Sequence, residues 1–244
     1  MTPHSLASTL NKKFVLEPVV SQSGVFVGFE LLTRYTSEAG KSRNAHMVIE
    51  NMRYEEKREF LFEQLNVLSS IVAQLEQHQL FISINIDQDM VQLLQEDERL
   101  SRMFSASSVI RLEISENVDF LPDHAVRQTL QQLKEHGMRF FIGDLGTGFA
   151  NLEALYTGLF DAVKIDKRFF WEQKDKPIFP VLMKNIRRFC PLIIVVGVED
   201  DEDLATLAAI PVYGIQGYRY AALAPDELAQ RLGQDALSPP PAQD

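Results

Sequence analysis

Residues 15–32 read VLEPVVSQSGVFVGFELL, two apolar runs rich in Val, Leu and Phe that are separated by the four residues SQSG. Runs of this composition are typical of β-strands, and a connection of this length joins the two strands of an antiparallel hairpin. The sequence therefore predicts that the sheet of this protein begins with an antiparallel pair of strands.

Six further apolar runs follow this hairpin, and longer amphipathic stretches separate them. The runs read LFISINI, VIRLEI, RFFIGDL, DAVKI, LIIVVGV and YGIQGY. Residues 55–77 place apolar side chains at the three-to-four spacing of a helix, and residues 126–136, 178–189 and 200–209 are also predicted helices. Strands that alternate with helices indicate a mostly parallel α/β barrel, with the opening hairpin as an antiparallel exception.

The composition excludes several classes of protein. The chain has 244 residues, a formal net charge of −10 and one cysteine, Cys190. The acidic balance argues against a protein that coats nucleic acid or an anionic membrane, and a single cysteine excludes internal disulfides and Cys-rich metal clusters. The longest apolar run, around residues 192–198, is far shorter than the ~20 residues of a membrane-spanning helix. We therefore expect a cytoplasmic protein that binds neither a membrane nor nucleic acid directly.

We expect one domain over residues 12–232. Residues 1–11 are polar and irregular, and residues 233–244 include the proline-rich LSPPPAQD, so both ends are predicted to be flexible tails. A fused signalling module would need about a hundred further residues. The barrel is therefore expected to act through its own surface.

Several predicted strands carry polar residues near their C-terminal ends, where packing alone does not require them. In a parallel barrel these ends converge on one mouth, where active sites are built. Carboxylates crowded there would repel one another unless metal ions lay between them, and a lysine can neutralise their charge or position a phosphate. An isolated carboxylate of this kind is more often a solvated strand end, so the hypothesis rests on the ordered set. The set is Glu30, Arg34, Asn85, Glu113, Glu116, Asp144, Lys164, Asp166, Glu199 and Gln216.

Seven short segments along nearly the whole chain contain these residues. The first is ELLTR at residues 30–34, and the others are SINID, LEISE, GDLGTGFANL, VKID, VVGVED and IQGY. In order and spacing they resemble the EAL-domain family, the cyclic di-GMP phosphodiesterases of bacterial signalling, and ELLTR is similar to that family's E-A/V-L-x-R signature. The resemblance implies a modified TIM (β/α)8 barrel with one antiparallel strand near the N-terminus.

Active members of this family hold two metal ions at the barrel mouth, and the resemblance implies which residues match their ligands. Two ligand positions are lost here, because Gly143 replaces an Asp that bridges both metals and Val196 replaces a Glu. A metal pair lowers the pKa of bound water from ~15.7 to ~7 and clamps the reacting oxygens. We therefore expect no catalysis and no required cofactor, with Mg²⁺ only if the residual site binds it. The positions that keep a ligand atom are Glu30, Asn85, Glu113 and Asp144.

Residues that match the nucleotide-binding face of the family are partly kept. Glu17 stands where relatives have a Gln close to the ligand, and a carboxylate there would face an anionic ligand unfavourably. We therefore expect cyclic di-GMP to bind weakly, if it binds. The candidate nucleotide-binding residues are Arg34, Lys164, Glu199 and Gln216.

A chain that keeps the barrel and loses the chemistry is expected to act by binding. Some degenerate stand-alone members of the family bind a transcription regulator, the flagellar master complex. We expect a non-catalytic regulator of motility or surface attachment, and the net charge of −10 favours a partner with a basic surface. Phe169, Phe170 and Trp171 are candidate contact residues, although buried packing is the commoner role of such side chains. Two alternatives stay open: a receptor that binds cyclic di-GMP without cleaving it, and a weakly active phosphodiesterase.

Overall fold

The protein folds as a closed sheet surrounded by helices, described for residues 6–115, 124–146 and 152–232 of a computed structural model. The strands of these ranges are β1 (Asn11–Val20), β2 (Phe26–Thr36), β3 (Ser42–Arg43), β4 (Phe81–Asn85), β5 (Ile110–Ser115), β6 (Phe140–Leu145), β7 (Phe160–Ile165), β8 (Leu192–Val196) and β9 (Gly214–Gln216). The α-helices are α1 (Ala45–Glu50), α2 (Tyr54–Gln77), α3 (Gln88–Glu96), α4 (Glu98–Ser105), α5 (His124–Glu135), α6 (Leu152–Tyr156), α7 (Lys167–Gln173), α8 (Phe179–Arg187), α9 (Asp201–Leu207) and α10 (Leu228–Leu232). Two 3₁₀ turns lie at Leu6–Thr9 and Pro225–Glu227.

The opening hairpin forms as predicted. β1 and β2 pair antiparallel over the whole length of β1. The connection between them turns at Gly24, whose φ of 79° lies in the left-handed region that glycine adopts without strain. The amide of Gly24 donates to the carbonyl of Ser21 at 2.9 Å, which closes the turn.

The sheet closes because β1 pairs with strands on both of its sides. The order is β1-β9-β8-β7-β6-β5-β4-β2, and the pairing of β1 with β2 completes the ring. Neighbouring strands from β2 through β4 to β9 are parallel, whereas β1 is antiparallel to both β2 and β9. This confirms the predicted modified barrel with one antiparallel strand near the N-terminus. The two-residue strand β3, which pairs with the end of β2, was not predicted.

The helices predicted from periodicity form as α2, α5, α8 and α9, and their ends lie within two residues of the predicted ones. In α2 one stripe of side chains, which includes Phe60, Leu61, Leu68 and Leu75, is buried against the barrel. The remaining helices have nine residues or fewer. Helices of this length span fewer than about three turns, so apolar periodicity identifies some of them, such as α8 and α9, and misses others.

Aspartate side chains fix the start of several helices. The Asp166 carboxylate accepts from the amides of Arg168 and Phe169, so this predicted strand-end residue caps α7. The acidic run at residues 199–203 begins α9, as predicted, and Asp200 is its N-cap. Asp87 and Asp97 cap α3 and α4 in the same way.

Two further expectations concern the tails at the chain ends and membrane-spanning helices. The predicted N-terminal tail, residues 1–11, contributes the 3₁₀ turn Leu6–Thr9 and the first residue of β1, and residues 233–244 lie outside the described residues. Among the helices of the described ranges, none combines the length and the hydropathy that a bilayer crossing requires.

Candidate functional site

Lys164 lies between two buried carboxylates near the C-terminal ends of the barrel strands. Its ammonium Nζ donates to Oε2 of Glu30 at 2.6 Å and to Oε2 of Glu113 at 2.9 Å. The side chains come from β2, β5 and β7, and none is more than 9% exposed. Closure of the barrel therefore brings these three side chains together, although they are far apart in the sequence.

Two amide side chains complete the contacts of Glu30. Asn85 Nδ2 donates to Oε1 of Glu30 at 2.6 Å, and Gln216 Nε2 donates to Oε2 of Glu30 at 2.7 Å. Both carboxylate oxygens of Glu30 therefore accept hydrogen bonds. We call Glu30, Asn85, Glu113, Lys164 and Gln216 the Lys164 network.

Glu17 and Arg34 lie at the edge of the Lys164 network. Gln216 Nε2 also donates to Oε1 of Glu17 at 3.0 Å, and the Arg34 guanidinium donates to Oε2 of Glu17 at 3.2 Å. Arg34 is half-exposed. Part of the positive charge that could attract an anionic ligand is therefore already offset by Glu17.

Burial and pairing shift the pKa values of the three central groups differently. Burial works to raise the pKa of Glu30, but the charge of Lys164 and the hydrogen bonds from Lys164, Gln216 and Asn85 outweigh it and hold the pKa below 4.5. Burial raises the pKa of Glu113 to about 7, opposed by the Lys164 charge and assisted by the Glu30 charge. Burial works to lower the pKa of Lys164, but the two carboxylates raise it above 10.5. Near neutral pH, Lys164 and Glu30 are therefore charged while Glu113 is close to its titration point.

The resemblance assigns the second metal to positions 143, 144 and 196, and two of these three positions carry no carboxylate here. A Cβ built on Gly143 would lie 2.7 Å from Oε1 of Glu113. Asp144 is exposed, has a φ of 56°, and accepts at Oδ2 from the hydroxyl of Ser115 at 2.7 Å. Val196 ends β8 beside Gln216 and is half-buried. One carboxylate, that of Asp144, remains of the three that the family has here.

The donor set does not fit a pair of metal ions. In the part of the chain that the structure describes, no three Asp, Glu, His or Cys side chains converge as a metal-binding group. Divalent cations such as Mg²⁺ prefer several oxygen ligands, and positions 143 and 196 supply no side-chain oxygen. An ammonium, that of Lys164, already bridges Glu30 and Glu113.

The remaining predicted nucleotide-binding residue, Glu199, follows β8 and is exposed. Its backbone amide donates to Oδ2 of Asp203 at 2.9 Å, so its position is tied to the start of α9. Glu116, and Thr147 and Gly148 of the segment GDLGTGFANL, lie outside the described residues.

The three predicted protein-contact residues lie on α7 and differ in exposure. Phe170 is fully buried, with its ring 5.9 Å from that of Phe179, so it is a core residue and not a surface one. Phe169 is half-buried and packs against the core. Trp171 is 39% exposed, and its indole Nε1 donates to the carbonyl of Gly197 at 2.8 Å. Of the three, Trp171 presents the largest accessible surface.

Sequence reasoning missed Ser115 as a partner of Asp144. Ser115 lies two residues beyond Glu113 on β5, so the two-residue period of a strand places both on one face. That period is the signal that could have identified it. The contact between Glu17 and Gln216 has no such signal, because 199 residues separate them.

Three comparisons place the chain among known proteins. Residues 6–222 match the EAL domain family. YdiV of Escherichia coli (strain K12) is 28% identical over 211 residues, which are 84% of this chain and 89% of that protein. YdiV of Salmonella typhimurium (strain LT2), named an anti-FlhC(2)FlhD(4) factor, is 24% identical over 218 residues, 87% of this chain and 92% of that protein.

A protein named as an enzyme is about equally similar in sequence. The cyclic di-GMP phosphodiesterase PdeH of E. coli is 25% identical over 222 residues, 88% of this chain and 85% of that protein. The crystal structure of the EAL-like domain protein YdiV matches with a TM-score of 0.81 and 25% identity, over 93% of this chain and 98% of that one. The match to the family over residues 6–222, together with this barrel, shows that the chain belongs to the EAL domain family.

Proposed function

We propose that this protein is a non-catalytic EAL-domain regulator that binds a transcription regulator of motility or surface attachment. The candidate partner is the FlhC(2)FlhD(4) complex, because similar proteins are named as factors against it. Such a partner would place the protein in the cytoplasm, as the sequence predicts.

The observation that carries the proposal is the state of the barrel mouth. Lys164 pairs with both Glu30 and Glu113, and positions 143 and 196 carry no ligand atom. Lowering the pKa of bound water by ~9 units corresponds to ~12 kcal/mol of activation free energy that the metals supply. A site without the bridging carboxylate lacks the means to hold both ions, so the proposal assigns no hydrolytic step to it.

The alternative function is phosphodiesterase activity, which the similarity to PdeH favours. It is tested by incubating the purified protein with cyclic di-GMP and Mg²⁺ or Mn²⁺, with PdeH as the positive control. We expect no linear dinucleotide. Turnover within about a hundredfold of PdeH would overturn the non-catalytic assignment.

The binding proposal is tested with the purified FlhC(2)FlhD(4) complex of Salmonella typhimurium. We expect a stoichiometric complex on gel filtration and reduced binding of the regulator to its DNA in a gel-shift assay. PdeH, a related protein that is named as an enzyme, is the matched negative control. A complex that forms only when cyclic di-GMP is added would support the receptor alternative instead.

The variant Arg34→Ala separates the two binding functions. Arg34 is half-exposed at the edge of the mouth, so its loss should leave the fold intact. A regulator that acts by protein contact keeps its effect on DNA binding in this variant. A receptor that depends on the nucleotide loses it.

A further inference from the structure

Helix α8 carries apolar side chains on two of its faces. One face, with Phe179, Met183 and Ile186, is buried in the core. Ile178 and Val181 lie on a second face and are 58% and 52% exposed. Residues three, four and seven apart share one side of a helix, so the exposed residues form a stripe separate from the buried one.

The stripe continues onto the end of α6. Phe189 follows α8 and is 37% exposed, and the ring of Tyr156, at the end of α6, lies 4.3 Å from the Phe189 ring. Four of the eight large apolar side chains exposed within the described ranges are on this stripe. Such clustering marks an interaction site rather than scattered surface residues.

The charge around the stripe is opposite to that of the whole chain. Residues 167–189 contain seven Lys or Arg and two Asp or Glu, a net charge of +5 on a chain of −10. Lys184 and Arg188 lie on successive turns next to Val181 and are exposed. Among the described residues, no ion pair neutralises either of them. The outer surface of α8 is therefore apolar along its length and basic along one side.

We infer that the α8 outer surface, formed by Ile178, Val181, Phe189, Tyr156, Lys184 and Arg188, docks an acidic amphipathic helix of a partner protein. Apolar side chains of that helix pack on the stripe, and its carboxylates lie next to Lys184 and Arg188. This inference rests on the proposed function, since it locates the surface through which the protein binds its regulator. It also assigns an acidic contact region to the partner, whereas the net charge of the whole chain predicts a basic one.

A second copy of this chain fits the surface poorly. A symmetric dimer brings the same patch of both subunits together. When the two α8 helices pack antiparallel about the two-fold axis, Lys184 and Arg188 of each subunit approach those of the other, and like charges across an interface oppose association. Charge complementarity therefore favours an acidic partner over self-association.

The test uses two labelled helical peptides of about 20 residues, long enough to form a helix. Both carry Leu at helical spacing on one face, and the other face carries Glu in one peptide and Lys in its counterpart. By fluorescence anisotropy we expect the Glu peptide to bind, the Lys peptide to bind about tenfold more weakly, and the Glu peptide to weaken as salt is raised. Equal binding of the two peptides, or no binding of the Glu peptide, would overturn the inference.

Surface variants locate the binding. Ile178→Ser with Val181→Ser, and separately Lys184→Glu with Arg188→Glu, should each weaken the Glu peptide about tenfold. These residues are exposed, so the fold should survive, which circular dichroism checks. The matched controls are Met47→Ser, 59% exposed on α1, and Arg102→Glu on α4, which should leave binding unchanged. Unchanged binding in the surface variants would overturn the assignment, and so would a parent dimer in sedimentation that the Ser variants convert to monomer.

The FlhC(2)FlhD(4) complex then separates this inference from the proposed function. If the surface variants bind the complex as the parent does, the proposed function stands and the docking surface is wrong. If neither the parent nor any variant binds the complex while the peptides behave as expected, the surface stands and the proposed partner is wrong.

Discussion

Oε1 of Glu113 occupies the space that a side chain at position 143 would enter, since a Cβ built on Gly143 would lie 2.7 Å from it. Real side chains hardly ever approach so closely, so a residue larger than glycine requires the Glu113 side chain to move. The glycine at position 143 and the orientation of Glu113 toward Lys164 therefore depend on each other.

The first prediction concerns repair of the metal positions. Gly143→Asp adds a carboxylate beside Glu113 on β6, and Val196→Glu adds one at the end of β8. We expect the double variant to bind Mn²⁺ in calorimetry more tightly than the two single variants together would suggest, because ligands of one site act as a unit.

The control for this repair is Gly143→Asn with Val196→Gln, which has the same side-chain sizes and no added charge. It should bind no more Mn²⁺ than the parent. If the Asp and Glu double variant also binds no more than the parent, the alignment of these two segments with the family is incorrect.

The second prediction concerns the buried ammonium. Lys164→Met removes the partner of Glu30 and Glu113, and breaking a buried ion pair from one side costs ~3–5 kcal/mol. Urea denaturation should show a loss of stability of that order. The exposed Arg102→Met should change stability by less than ~1 kcal/mol.

A second variant keeps the Lys164 prediction testable. Adding Glu113→Gln to Lys164→Met removes one of the two carboxylates left without a cation and should recover part of the stability. A loss below ~1 kcal/mol for Lys164→Met alone would contradict the central role of the ammonium.

The third prediction is a pH dependence caused by Glu113. Its pKa is raised from 4.5 to about 7 in the folded protein, so between these values the folded state holds a proton that the unfolded chain has released. Stability conferred by that proton is present below about pH 4.5 and is lost as the pH rises through about 7, by up to about 3 kcal/mol. We expect the free energy of unfolding of the parent to fall more steeply over this interval than that of Glu113→Gln.

The comparison with Glu113→Gln cancels the titration of groups that both proteins share. Parallel pH profiles of the two proteins would show that the folded state does not raise the pKa of Glu113. Asp161→Asn, at a partly buried ion pair with Lys134, is the control and should leave the slope between pH 5 and 7 near that of the parent.

The fourth prediction concerns Glu17. Its carboxylate accepts from both Arg34 and Gln216, so Glu17→Gln removes a negative charge and frees the Arg34 guanidinium. Calorimetry should show tighter binding of cyclic di-GMP by the variant than by the parent, by about tenfold. The gain should disappear when Arg34→Ala is added. Equal affinity of the parent and the Glu17→Gln variant would show that Glu17 does not weaken the site.

The sequence was sufficient for the barrel and for what the site has lost. The hairpin at residues 15–32 and the six apolar runs after it correspond to the eight strands that close the sheet. Strand alternation and helix periodicity are local properties, so neighbouring residues carry the information for them. Gly143 and Val196 are recognised as losses because the surrounding segments keep their order and spacing.

The sequence did not show which of the retained polar residues contact one another. Lys164 and Glu30 are 134 residues apart, and their pairing depends on the register of every strand between them around the ring. The Lys164 network and the raised pKa of Glu113 are consequences of that closure and of burial. Neither the contacts of the network nor the pKa of Glu113 can be derived from the residues of one strand alone.

The same limit applies to the surface. Phe170 on α7 and Val181 on α8 both lie among apolar residues, and the sequence alone left open whether Phe170 is a contact residue or a packed one. The tertiary structure buries Phe170 against Phe179 and leaves Val181 half-exposed. Whether an apolar side chain becomes core or exposed surface is decided by which distant elements pack against its face, and its own local sequence does not contain that information.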